Sequence, residues 1–270
     1  MTAAPQPVHA RANPRLAYIR RLQRDPAAYR RHPAEAAVWL EGEHLLQACV
    51  ARGGRLRVAL VAESACARAD LRALAGSAGE VLRVADARFA EISALQPAVA
   101  VGALVDRPDP GAIRADVDTL VLDRVQDAGN VGSLLRSAAA LGVAQVLALP
   151  GTAALWSPKV LRAGMGAHFA LRLHEGVAEG EVAALALPLV ATDPHAGTPL
   201  PAARLPQPCA WVFGHEGRGI APALRARCAL AVRIPQPGGE ESLNVAAAGA
   251  ICLYEAARRR LGGAAQVRGE

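Results

Sequence analysis

The sequence of 270 residues predicts a two-domain α/β protein whose larger, C-terminal part is a parallel sheet covered by helices. Three observations carry this. From Thr119 onward, short apolar runs alternate with helical stretches, the pattern of repeated βα units. A shorter alternation of the same kind precedes residue 106. Between the two, "DRPDPGAIRAD" (Asp106 to Asp116) concentrates proline, glycine and charge, as linkers do. The chain therefore divides into a basic lead (1–32), a smaller α/β domain (33–105), a linker (106–116), the larger domain (117–262) and a tail (263–270).

The elements follow in order. The lead, "PRLAYIRRLQRDPAAYRRH", reads as a basic helix. In the smaller domain, "AVWLEG" is a strand, "EHLLQACVARG" a helix, "RVALVA" a strand and "ARADLRALAG" a helix. "VLRVAD" is again a strand, followed by a short helix near "FAEISAL" and the strand "AVAVGALV". In the larger domain "TLVLDRV" is a strand, "VGSLLRSAAALG" a helix closed by Gly142, and "VAQVLAL" a strand. A helix after Pro158, a strand near "ALRLHE", a helix near "GEVAALAL" and the strand "LVAT" come next. "CAWVFG" is a strand, "APALRARC" a short helix, "LAVRIP" a strand, and Leu243 to Arg260 the closing helix.

Composition excludes several classes. A chain that is 52% hydrophobic and 20% charged builds a core rather than staying disordered. Its longest apolar run, "VAALALPLVA", is interrupted by Pro188 and falls short of the roughly 20 residues of a membrane span. "MTAAPQPVHARANPR" lacks the apolar segment of a signal peptide, so a soluble, cytoplasmic protein is expected. Five cysteines stand singly, without a C-x-x-C pair, which predicts free thiols and no metal site. The net charge of +6 and the near-exclusive use of arginine, with Lys159 the only lysine, fit a polyanionic partner. No phosphate-cradling G-x-x-x-x-G-K-[ST], dinucleotide G-x-G-x-x-G, G-x-S-x-G elbow or H-E-x-x-H is present.

What remains is three polar loops, each after a predicted strand: "QDAGNVGSLLR" (Gln126 to Arg136), "FGHEGRGI" (Phe213 to Ile220) and "IPQPGGEESLNV" (Ile234 to Val245). Loops at one carboxyl edge of an open sheet form a single ligand site. Some of this chemistry has a local use. Pro235 and Pro237 keep the third loop out of helix, Ser242 or Asn244 can cap the closing helix, and Asn130 can cap the helix that carries Arg136. The loop glycines let backbone approach a ligand.

Taken in order, N-x-G-x-x-x-R, G-x-E-G-x-G and I-P-x-x-G-x-x-x-S-L-N-V resemble the three motifs of the SpoU/TrmH family of RNA ribose 2'-O-methyltransferases, across roughly Thr119 to Arg260. The smaller domain, with "EGEHLL", resembles the substrate-binding domain of the family's ribosomal-RNA members. The resemblance implies a knotted (trefoil) SPOUT catalytic domain and S-adenosylmethionine as cofactor, with Gly214, Ile234 and Leu243 contacting its adenosine; ordinary core packing is the other reading of Ile234 and Leu243. It implies that Arg136 acts on the ribose 2'-hydroxyl, either as base or by gripping a phosphate and stabilising alkoxide charge. Because a guanidinium holds its proton tightly, literal proton abstraction requires an unusual environment. Asn130 would shape the site, Glu216 would hold Arg136 or a cofactor group, and Ser242 and Asn244 would support the ribose and the arginine.

His215 falls at a variable motif position, so no catalytic role is expected of it, and "PGGEE" is acidic for a loop beside RNA. The implied substrate is structured RNA, ribosomal rather than transfer RNA because of the extra domain; a transfer-RNA enzyme and a non-catalytic RNA-binding protein are the alternatives. A homodimer built on the small residues of "NVAAAGAICLYEAA" and no partnership with DNA or membrane complete the expectation.

Overall fold

The computed structural model describes residues 6–7, 13–31, 37–95, 98–239 and 242–268, with side chains given between 13 and 262. Most of the stretch read for a signal peptide, Glu240 and Glu241 of the acidic loop, and the last two residues of the tail lie outside the described residues. The chain forms two compact units, residues 1–109 with 156–169 and residues 110–155 with 170–270.

The first unit contains β1 (Gln6–Pro7), α1 (Pro14–Arg24), β2 (Ala37–Glu41), α2 (Glu43–Ala51), β3 (Leu56–Ala62), α3 (Ala69–Ala75), β4 (Glu80–Val84), α4 (Asp86–Ile92) and β5 (Val101–Asp106). Its sheet has the order β1-β4-β3-β5-β2. β1 and β3 run parallel to β4, whereas β5 is antiparallel to both β3 and β2. Helix α1 starts where the Asn13 side chain accepts from the Arg15 N–H at 2.9 Å, and it buries Leu16, Ile19 and Leu22 on one stripe. Trp39 on β2 is buried beside Phe89 of α4, at 6.4 Å between ring centroids.

The second unit opens with β6 (Thr119–Asp123), α5 (Ala128–Ala140) and β7 (Gln145–Ala148). The stretch that follows, with α6 (Pro158–Gly164), belongs to the first unit although the sequence places it within 117–262. The reason is aromatic burial. Trp156 is buried, donates its backbone N–H to the buried Tyr29 hydroxyl at 3.1 Å, and packs its ring on His168 and Phe169.

The second unit resumes with β8 (Arg172–Glu175), α7 (Glu179–Ala183), β9 (Leu189–Thr192), β10 (Thr198–Pro199), β11 (Ala210–Gly214), α8 (Pro222–Ala226), β12 (Leu230–Arg233) and α9 (Val245–Arg268). Its seven strands, in the order β10-β12-β9-β11-β6-β7-β8, are parallel at every pairing, as the βα alternation predicts. Val121, Leu147, Leu189 and Val212 fill one face. Helix α9 packs on α5. It begins two residues after Leu243, because Asn244 serves as its cap, and continues to Arg268 where a tail was expected. Arg259 holds it by donating to the Leu200 and Pro201 carbonyls at 2.9 and 3.0 Å, and Arg260 pairs with Asp118. The carboxyl ends of β12, β9, β11 and β6 thus lie side by side.

Candidate functional site

Where β6 gives way to α5, Asp127 rather than Asn130 is the cap: its carboxylate accepts from the Asn130 N–H at 2.8 Å. The Asn130 side chain is left for other work. Its Nδ2 donates to Glu216 Oε1 at 3.1 Å, and its Oδ1 accepts from Asn244 Nδ2 at 2.9 Å. Asn244 in turn accepts from the Ala246 and Ala247 N–H groups of α9, at 2.9 and 3.3 Å. This cap sets the orientation of both amides. With Asn244 Oδ1 facing the helix, only its Nδ2 can meet Asn130, which leaves the Asn130 Nδ2 for Glu216.

Glu216 closes the relay onto the first loop, accepting from the Gln126 and Asp127 N–H groups at 3.2 and 3.1 Å. It makes no bond to Arg136, contrary to one expectation, because both its oxygens are engaged by these amides and Asn130. Partial burial pushes the Glu216 carboxyl up, but the donors from its own backbone, Asn130, Asp127 and Gln126 outweigh this and hold it below the usual range. A chain of side-chain bonds, Asn244 to Asn130 to Glu216, therefore ties all three polar loops together.

The second loop leaves β11 at Gly214, where a Cβ would lie 2.2 to 2.4 Å from the Gly219 and Ile220 backbone. Only glycine fits there. His215 belongs to the turn: its Nδ1 accepts from the Gly217 N–H at 3.0 Å, and its backbone pairs with Gly219. At the end of β6 the buried Asp123 accepts from the Ala221 N–H at 2.6 Å and pairs with Arg124 at 2.7 Å, pinning this loop from below. Sequence reasoning passed over Asp123, although a carboxylate closing the apolar run "TLVLD" was the available signal.

A cavity of about 630 Å³ opens between the second and third loops, within the size range of small-molecule sites. Gly214, Glu216, Ile234, Ser242, Leu243 and Asn244 line it. Ile234 is half-buried and Leu243 is 39% exposed, so neither is an ordinary core residue. Ser242 is exposed and makes no hydrogen bond among the described residues. Four further lining residues were not foreseen: Asp193 and His195 after β9, Arg225 on α8, and Gln236. Asp193 pairs with Arg225 at 3.1 Å. Burial raises its carboxyl, but the His195 N–H and the Arg225 guanidinium bring it below the usual range. Arg136 stands apart. It is exposed on α5, outside the cavity lining, with no hydrogen bond or ion pair among the described residues.

A parallel sheet whose adjacent strand ends border a cavity of small-molecule size defines an α/β protein with a ligand site at the carboxyl edge of its sheet. The sequence profile of the SpoU rRNA Methylase family matches residues 118–254, and the chain belongs to that family. It is similar to the 23S rRNA (uridine(2479)-2'-O)-methyltransferase of Streptomyces viridochromogenes, at 34% identity over 60% of this chain and 61% of that protein, less than two thirds of the relative's length. The 23S rRNA (guanosine(2553)-2'-O)-methyltransferase RlmP of Bacillus subtilis (strain 168) is 28% identical over 80% of this chain and 86% of its own. Among solved structures, the SpoU methyltransferase AviRb from Streptomyces viridochromogenes in complex with the cofactor AdoMet superimposes with a TM-score of 0.82, at 28% identity, covering 92% of this chain and 98% of that one.

Proposed function

We propose that this protein transfers a methyl group from S-adenosylmethionine to the ribose 2'-hydroxyl of one nucleotide in structured RNA, ribosomal RNA in particular. The observation that carries the reading is the side-chain relay Asn244–Asn130–Glu216, which ties the first motif loop to the two that line the cavity, while Arg136 has no hydrogen bond or ion pair among the described residues. The 23S rRNA methyltransferases similar to this chain and the AdoMet complex of AviRb support the choice of substrate and cofactor.

The residues fit the cofactor: apolar Phe213, Val232, Ile234 and Leu243 provide walls for a nucleoside, and Asp193, Arg225 and Gln236 provide polar partners. When bound, S-adenosylmethionine supplies an electrophilic methyl group on a sulfonium. The chain contributes position and charge. Arg136 takes an RNA phosphate and the charge that develops on the 2'-oxygen, because a solvent-facing guanidinium donates well and gives up its proton poorly. Ser242 and Asn244, at the lip of the cavity, orient the ribose, while Asn130 and Glu216 keep the lip in register.

The same proposal includes a trefoil-knotted crossing of the second unit's chain, RNA binding by the first unit, action in the cytoplasm, and a homodimer. Among the described residues no helix is long and apolar enough to cross a membrane. On α9, Gly249 does not serve a partner helix as expected: a Cβ there would lie 2.2 Å from Leu134 of α5, so the small residue is spent inside the unit. The dimer surface is instead the exposed side carrying Ile251 and Tyr254, 41% and 60% accessible. Tyr254→Glu should convert a dimeric mass to one near 28 kDa in light scattering.

Mapping ribose methylation in RNA from cells with and without this gene tests the function. A single ribosomal-RNA site that loses its methyl group supports it. Loss in transfer RNA would move the substrate, and no change in any RNA would leave a non-catalytic binder.

A further inference from the structure

The second motif loop begins and ends at one side chain. Asp123 closes β6 in register with Gly214 of β11, where that loop leaves the sheet, and its carboxylate accepts from the Ala221 N–H, where the loop returns. The span between them is cavity wall, lined by Gly214, Glu216, Arg218 and Ile220. Two oxygens serve three donors. Asp123 Oδ2 accepts from Ala221 at 2.6 Å and from Arg124 Nη2 at 2.9 Å, while Oδ1 accepts from Arg124 Nε at 2.7 Å.

Fold stability alone does not require this arrangement. Asp123 is 1% exposed, and a buried carboxylate loses its hydration, so an apolar residue of the same size would serve a strand end as well. Its partner is strained. Arg124 has a φ of 60°, a left-handed backbone that a side chain disfavours, and it is kept there by its N–H donating to the buried Thr152 Oγ1 at 3.1 Å and by its guanidinium on Asp123. Strain held by several bonds beside a cavity marks geometry that function uses. Just beyond, the Gln126 and Asp127 N–H groups meet Glu216 of the same loop, so Asp123 fastens the loop's end and Glu216 its start to one short segment.

We propose that Asp123 is a positioning residue for the cofactor: by closing the second loop on the end of β6, it holds the cavity wall in its binding shape before the ligand arrives. Without that closure, apparent affinity falls with the fraction of closed loop. The inference rests on the cofactor reading above, and goes beyond it by giving a role to a residue outside the three motifs.

The test uses two readouts, one of them free of ligand. S-adenosylhomocysteine is titrated calorimetrically into the wild type, Asp123→Ala, Asp123→Asn and Thr119→Val, and amide hydrogen exchange at Gly219 and Ala221 is followed in the same proteins alone. Thr119 is buried at the other end of β6 and bonds Gln145 at 2.9 Å, so its loss weakens the strand away from the loop. Asp123→Ala should bind about tenfold or more weakly and exchange both amides faster by a similar factor. Asp123→Asn can place its oxygen where Ala221 and Arg124 Nη2 converge, losing only the Nε bond, and should stay within about threefold of the wild type. Thr119→Val should lower stability and leave both readouts within about twofold. If the alanine variant does not fold, Asp123→Leu, of similar volume and without an acceptor, carries the same expectation. Wild-type affinity and exchange in Asp123→Ala, or losses as large in Thr119→Val or Asp123→Asn, would overturn the assignment. Failure of the wild type to bind S-adenosylhomocysteine would instead overturn the cofactor reading, and exchange at Ala221 would still decide whether Asp123 holds the loop.

Discussion

The two sheets of this protein are built from the same kind of alternating elements, yet they end differently. In the first, β5 runs antiparallel between β3 and β2 and interrupts the row of carboxyl ends. The charged groups near that edge satisfy one another: Arg68 pairs with Glu43 at 2.8 Å, Arg83 with Glu63 at 3.7 Å, and Ser64 donates to Asp86 at 2.6 Å. In the second sheet every strand is parallel and four adjacent carboxyl ends form an unbroken row. Its loops are held by amide and carboxylate bonds, while Arg136 and Ser242 keep unused hydrogen-bonding capacity. The difference teaches where chemistry resides. A rigid frame that satisfies its own groups, next to a few that remain unsatisfied, is what a substrate can complete.

Substitutions at the second edge should break this contrast most. Arg136→Ala should lower single-turnover methyl transfer by about 10²- to 10³-fold while cofactor affinity changes only a few-fold, since the loss falls on the transition state. Arg136→Lys should be nearly as poor, because an ammonium lacks the planar fork. Gly214→Ala places a Cβ against the Gly219 backbone, so calorimetry should show cofactor affinity reduced by about tenfold or more, in proportion to the shift of the loop. Asn244→Ala removes the α9 cap and the start of the relay, and chemical denaturation should show a loss of about 1 kcal/mol.

The smallest effects sharpen the contrast. Arg258, then Arg259, hold the Glu255 carboxyl at about 2 against a partial-burial cost that raises it, compared with an ordinary 4.5. A depressed carboxyl stabilises the fold above its unfolded pKa, and that contribution is lost as pH falls from about 4.5 to about 2. Thermal unfolding of Glu255→Gln should accordingly fall less steeply across that window. At the first unit's edge, Arg68→Ala breaks only exposed pairs, with Glu43 and Asp70, and should leave cofactor affinity within twofold.

Much of this was legible in the sequence because the apolar runs are short and punctuated. "TLVLD", "AWVFG" and "LAVR" could be strands and little else, and their spacing by helices fixed a parallel sheet. The site loops were legible as polar residues stranded between such runs. What was hidden depends on contacts across the chain. Nothing local in "LWSPKVLRAGMGAHF" says that Trp156 meets Tyr29, so α6 was assigned to the wrong unit. Asp193 and Gln236 come from separate loops and Arg225 from helix α8, and they line one cavity only when β9, β11 and β12 lie together. Asn130 looked like a cap until Asp127, three residues earlier, took that role.

The most direct measurement uses purified protein with isotopically labelled S-adenosylmethionine and ribosomal RNA from cells lacking this gene, followed by location of the label to the atom. The account predicts about one methyl group per RNA, on a single ribose 2'-oxygen, with incorporation about 10²- to 10³-fold slower when Arg136→Ala replaces the wild type. Label on a base, or equal incorporation by the wild type and Arg136→Ala, would contradict it.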